Sequence, residues 1–151
     1  MGTMDNNPDE GTIRILIEKA YEAQRFSYSP YSNFPVGAAL LCDDGTIYTG
    51  CNIENAAYSP GNCAERTAVF KAVSEGKNNF TAIAVVGGKG ITSPCGVCRQ
   101  VLREFVDEEK FEVIMVNNNG DNEMNYDYVR MNLARLLPLG FGPDNLKNVK
   151  R

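Results

Sequence analysis

Between Thr46 and Val116 the chain alternates β-rich and helix-prone stretches, and this alternation constrains its architecture more than any other feature. Thr46 to Ile53 reads as a strand. Asn62 to about Ser74 reads as a helix capped by Asn62, with Ala64, Ala68, Phe70, Ala72 and Val73 available for burial. Thr81 to Val86, bounded by Gly87-Gly88, reads as a buried strand. A second helix follows with Ser93 as cap and Pro94 at its first position, where a missing N–H costs nothing, and Phe111 to Val116 is the next strand. Strand, helix, strand, helix, strand makes two consecutive crossovers, which predicts parallel strands with right-handed connections. In such sheets ligands bind where the C-terminal end of a strand hands over to a helix N-terminus. Adjacent parallel strands lie only ~5 Å apart, so two such helix starts can converge on one point.

Both handover points carry cysteine. The first reads Asn62-Cys63-Ala64-Glu65-Arg66, and the second reads Ser93-Pro94-Cys95-Gly96-Val97-Cys98-Arg99-Gln100. The chain has no histidine, so a Ser-His or Cys-His pair is excluded and a transition-metal site must be built from thiolates and carboxylates. Five cysteines (42, 51, 63, 95 and 98) are an odd number, which argues against a fully paired disulfide framework. Catalytic zinc uses three protein ligands and keeps a fourth position for water. Cys63, Cys95 and Cys98 supply three ligands from helix starts, where the macrodipole favours a thiolate. Three thiolates weaken the metal as a Lewis acid, and Arg66 is the candidate cation to offset them. Glu65, two residues after a ligand, is placed to hold a proton. Other readings exist for each residue: Asn62 and Glu65 have capping-box spacing, Cys98 shares a helix face with Val101, Leu102 and Phe105, and Cys95-Gly96-Val97-Cys98 has the spacing of a thioredoxin-like redox pair. A structural zinc site is a further alternative, but it needs a fourth ligand that neither cluster offers.

Elsewhere, Thr12 to Phe26 reads as an amphipathic helix with Ile13, Leu16, Ile17, Ala20 and Tyr21 on its apolar face. Ser27 to Pro35 carries two prolines and reads as a shaped polar and aromatic loop. Val36 to Cys42 is a strand joined to the next through Asp43-Asp44-Gly45, a hairpin turn. A turn at Asn117 to Asp121 precedes a weak edge strand near Met124 to Tyr126, and Val129 to Leu137 reads as a helix ending at Pro138. Met1 to Gly11 is expected to be a disordered tail, with a single domain over residues 12–147. No apolar run approaches the ~20 residues of a membrane span and no signal peptide is legible, so the expected compartment is the cytoplasm. Lys plus Arg number 15 against 19 Asp plus Glu, a net charge of −4 that disfavours nucleic acid as a partner.

A cysteine two residues before a glutamate, followed by Pro-Cys-x-x-Cys, matches the zinc deaminase signature. The likeness extends through Tyr31 to Leu40, Gly50 to Ala56, Cys63 to Ala68 and Ser93 to Gln100, in order, over roughly residues 12–147. These blocks resemble the small, homotetrameric cytidine deaminases. The resemblance implies an α/β fold, a three-layer α/β/α arrangement on a five-stranded mixed sheet, and hydrolytic deamination of cytidine and deoxycytidine with one Zn2+ per subunit, in pyrimidine salvage. It implies Cys63, Cys95 and Cys98 as zinc ligands, Glu65 as proton shuttle and Arg66 as the partner of the thiolates. It further implies Phe34 against the pyrimidine, Asn52 and Glu54 on the ribose 3'-hydroxyl, and the Ala64 backbone and Glu65 on the base. Ala56, Tyr58 and Phe141 would serve a neighbouring subunit's site, in a homotetramer with shared active sites. Asn117 to Arg130 departs most from the family pattern. A deaminase acting on bases in DNA or RNA, or on a nucleoside antibiotic, is the alternative enzyme reading, and the acidic balance and the Asn52–Glu54 pair weigh against the polymer.

Overall fold

A computed structural model describes residues 7–146. The expected tail falls outside the described residues up to Asn6, as does the expected domain end at residue 147. From Asp9 onward the chain is already engaged in α1, Glu10–Gln24, which starts earlier than Thr12 because Asp9 caps it, its carboxylate accepting from the Thr12 N–H at 2.8 Å.

Strands β1 (Gly37–Cys42) and β2 (Ile47–Cys51) form the expected antiparallel hairpin, turned at Gly45 with φ 87°. Then follow α2 (Ala64–Ser74), β3 (Phe80–Val86), the two-residue β4 (Gly90–Ile91), α3 (Gly96–Phe105), β5 (Glu112–Asn118), β6 (Tyr128–Asn132) and the short α4 (Leu133–Leu136). The strand order is β2-β1-β3-β5, and β4 and β6 each pair with β5 as well. The sheet is therefore mixed and six-stranded, one more than expected, the addition being the short β4. β3 and β5 are parallel neighbours as expected. β2 and β3 are not neighbours: the hairpin seats β1 between them, antiparallel to both, so the first crossover steps over a strand.

Side chains alternate across the sheet and build two cores. Ala38, Leu40, Ile83, Val85, Val113 and Met115 face α2, α3 and α4 and pack with Val69, Leu102 and Leu133. Ala39, Leu41, Ala82, Ala84, Val86, Ile114 and Val116 face α1 and pack with Ile13, Leu16, Ile17 and Ala20. This is the three-layer α/β/α arrangement. On α2 the buried set is Ala64, Glu65, Ala68, Val69 and Ala72, whereas Phe70 and Val73, expected inside, are exposed.

The expected helix over Val129 to Leu137 is strand in its first half and helix only from Leu133: Tyr128–Asn132 pairs with all of Glu112 to Val116. Val129 and Met131 pack on one core and Tyr128 on the other, a period of two that pairing with β5 rewards. Helix resumes only at Leu133, where the Asn132 side chain accepts from the Arg135 N–H at 3.0 Å. The edge strand expected at Met124 to Tyr126 is instead a loop over α1, with Tyr126 donating to Glu18 at 2.9 Å. No helix among the described residues is long and apolar enough to cross a membrane.

Candidate active site

The C-terminal ends of β2 and β3 point to the same side of the sheet, and α2 and α3 start there. Their N-caps are Cys63 and Cys95, not Asn62 and Ser93: both cysteines have the extended backbone of a cap, and neither side chain accepts a capping bond. Asn62 instead donates to Thr67 Oγ1 at 3.2 Å. The two thiols are thereby left free to face each other, with Cys63 Sγ and Cys95 Sγ 3.8 Å apart, and Cys98, one turn into α3, completes a group whose sulfurs all lie within 4.8 Å of one another. Tetrahedral zinc with bonds of ~2.3 Å sets its sulfurs about 3.8 Å apart, so the three thiols fit that ion. Glu65 is not a member of the group, and three protein ligands leave a coordination position for water.

Gly50 lets α2 begin so close to β2: a Cβ there would stand 2.4 Å from the Ala64 carbonyl oxygen and 2.6 Å from the Ala68 nitrogen. Arg66 donates to Cys63 Sγ at 3.3 Å, which places the expected cation on a sulfur. Hydrogen bonds from the Cys98 thiol and from Arg66 hold the Cys63 thiol down to about 5 against the opposing effect of burial. Cys98 is pushed well up by that same bond to Cys63 and by burial, so of the two Cys63 is the thiolate. Glu65 is 4% exposed, and burial pushes its carboxyl up to about 7. A carboxyl poised there accepts and releases a proton near neutral pH.

A cleft of ≈ 280 Å3 opens on the sulfurs, lined by Phe34, Asn52, Glu54, Ala64 and Glu65 together with Ser32, Val36, Thr92 and Ser93. It runs into a larger outer hollow of ≈ 500 Å3 lined by Tyr31, Glu54, Tyr58 and Arg66. The Phe34 ring lies directly over Gly88, where a Cβ would stand 2.6 Å from the ring. Asn52 pins the loop that carries Phe34: its amide donates to Phe34 O at 2.8 Å, and its oxygen accepts from Val36 N at 2.8 Å and from Ser27 Oγ. One oxygen of Glu54 accepts the Tyr31 and Ser32 N–H groups, each at 3.0 Å, and the Ser32 side chain together with these bonds holds its carboxyl below the ordinary range. Asn52 and Glu54 thus both face the cleft and both brace the Ser27–Pro35 loop.

The remaining expected residues lie farther out. Tyr58, 79% exposed, sits in a positive-φ turn and meets Tyr31 edge-on at 6.2 Å, at the mouth of its own chain's hollow. Ala56 is exposed in the same loop, and Phe141 is exposed, its carbonyl held by Gln100 at 2.8 Å. Ser27, Ser32, Thr92 and Gly88 were not singled out in the sequence. Gly88 had a signal, since a Gly-Gly pair closing a buried strand marks close backbone approach, whereas Thr92 has none.

Three thiols at paired helix starts beside a buried carboxyl define a metal-dependent hydrolytic centre. Residues 12–115 match the family model described as the cytidine and deoxycytidylate deaminase zinc-binding region. The chain is 52% identical to a cytidine deaminase of Sporosarcina psychrophila over 135 residues, covering 89% of this chain and 94% of that one. It is 43% identical to a cytidine deaminase of Halalkalibacterium halodurans, covering 89% of this chain and 98% of that one. Its fold is similar to the crystal structure of a cytidine deaminase from Burkholderia pseudomallei, with a TM-score of 0.76, 46% identity and coverage of 85% of this chain and 98% of that one. The chain belongs to the cytidine and deoxycytidylate deaminase family and is a zinc-dependent enzyme of it.

Proposed function

We propose that the protein deaminates cytidine and deoxycytidine to uridine and deoxyuridine with release of ammonia, at a centre built by Cys63, Cys95, Cys98 and Glu65. The observation that carries this reading is the buried Glu65 beside three converging sulfurs at the floor of a nucleoside-sized cleft. Zinc held by the three cysteines supplies Lewis acidity, which brings the pKa of water down to ~7. Glu65 takes a proton from the attacking water and delivers it to N3 of the pyrimidine as oxygen adds to C4. It then takes the proton of the new C4 hydroxyl and gives it to the 4-amino nitrogen, so that the C4–N bond breaks, ammonia leaves and the oxygen becomes the uracil carbonyl. Arg66 offsets thiolate charge, Phe34 packs on the base, the Ala64 backbone reads it, and Asn52 and Glu54 hold the ribose.

The acidic charge balance and the braced Asn52–Glu54 pair support a free nucleoside over a polymer. Five unpaired cysteines suit a reducing compartment, the cytoplasm. Exposed Phe70 and Val73 on α2 and Val97 on α3 support assembly, and the family likeness points to a homotetramer in which Ala56, Tyr58 and Phe141 reach a neighbour's site. We read residues 12–147 as one domain. The test is Glu65→Gln, with turnover followed by cytidine absorbance and zinc by elemental analysis. Zinc content is expected to stay at one per chain while kcat falls about 10²–10⁴-fold. Near-native turnover rules out the assigned role.

A further inference from the structure

Arg99 has no part in the reaction just described, yet its whole guanidinium is engaged beside the metal site. All three guanidinium nitrogens donate: Nε to Pro94 O at 2.7 Å, Nη2 to Ser93 Oγ at 3.2 Å and Nη1 to Leu136 O at 2.6 Å. The first two acceptors belong to the residues immediately before Cys95. The third is a carbonyl at the C-terminal end of α4, a group that the helix itself leaves without a partner. Cys95 is exposed, lies at the junction of loop and helix, and makes no capping bond that would fix it.

Of the three sulfurs, that of Cys95 is held least by its own surroundings. Cys63 has the Arg66 guanidinium on its sulfur, and Cys98 is fully buried inside α3. We propose that Arg99 is a positioning residue for the metal centre: by tying Ser93 and Pro94 to the end of α4, it holds Cys95 where its sulfur meets those of Cys63 and Cys98. Metal binding then need not order this loop, an ordering that otherwise subtracts from affinity. Arginine suits the task because its planar fork reaches three divergent acceptors at once, whereas a lysine ammonium on its flexible stem cannot reproduce that geometry. The inference rests on Cys95 being a metal ligand, and the experiment separates the two.

Zinc affinity is measured by chelator competition for the wild type, Arg99→Lys, Arg99→Ala, Cys95→Ala and Leu16→Ala, the last a core variant on the opposite face of the sheet. The cobalt-substituted proteins are compared by their thiolate-to-metal charge-transfer absorption. Arg99→Lys and Arg99→Ala are expected to bind zinc about 10–100-fold more weakly and to show a reduced charge-transfer band. Leu16→Ala, though less stable, keeps the wild-type affinity and band. Wild-type affinity in Arg99→Lys overturns the inference even if Arg99→Ala does not fold, and so does equal weakening in Leu16→Ala. If Cys95→Ala itself keeps full affinity, the ligand reading fails and the inference falls with it. If Cys95→Ala loses zinc while both Arg99 variants keep it, only the role of Arg99 is lost.

Discussion

Burial decides what Glu65 can do. An exposed glutamate would be ionised throughout the neutral range, but this carboxyl is pushed up to about 7 because its charged form has lost water. That shift carries a cost with a definite sign. Between the ordinary value of 4.5 and about 7, the unfolded chain has released the proton while the folded one keeps it, so folding takes up a proton. The contribution of this carboxyl to the stability of the metal-free protein is therefore greatest below the ordinary value and falls as pH rises through the folded one. Glu65→Gln removes the dependence. Urea unfolding of the two metal-free proteins at pH 5 and pH 8 is expected to show a difference that moves in favour of the glutamine variant by on the order of 2–3 kcal/mol. A difference that does not change with pH contradicts the burial argument.

Elements place the residues, and at Gly50 the backbone of α2 is seated directly on β2. Gly50→Ala would drive a methyl into backbone atoms at 2.4 and 2.6 Å, so the start of α2 must move. We expect a loss of about 1–3 kcal/mol in denaturant unfolding, with weaker zinc binding because Cys63 moves with the helix. Asp9→Ala, at the far face of the sheet, is expected to cost about 1 kcal/mol through the lost cap of α1 and to leave zinc affinity unchanged. At this scale the sequence was most readable where one period acts without competition. The apolar stripe Ile13, Leu16, Ile17, Ala20, Tyr21 is buried as expected, and the hairpin around Asp43-Asp44-Gly45 forms. Reading failed where a second force intervened. Val129, Met131 and Leu133 suit a helix as well as a strand, and only a long-range partner, β5, decides for strand. Asn62 and Ser93 are better caps by propensity than cysteine, but the helices start at Cys63 and Cys95. The site residues that were legible carried chemistry in their side chains. Ser27 and Thr92 were not, because their contribution is contact geometry from distant parts of the chain.

For the whole molecule the two cores share one sheet, and the metal centre sits at the sheet's end, tied to it through α2 and α3. An ion bound only by the folded chain adds to stability, by ~2.7 kcal/mol when present at a hundredfold excess over its dissociation constant. Stripping zinc with a chelator is expected to lower the melting temperature by roughly 5–10 °C, and re-addition restores it. An unchanged melting temperature places the ion outside the fold's energetics. Native mass spectrometry is expected to find four copies of the 16.6 kDa chain, and a monomer with full activity removes any need for residues from a neighbour.

The strand wedged between β2 and β3 has a consequence for how the protein acquires its ion. Cys95 and Cys98 are close in the chain, but Cys63 lies 32 residues before Cys95 and meets them at the end of a sheet in which β1 stands between β2 and β3. A chain without that sheet offers a local chelating pair, while the third sulfur has a long loop to close before it can join them. Whereas a zinc finger draws its ligands from close in sequence, this site ties retention of the ion to the integrity of the sheet, so that release of zinc reports loosening of the strands.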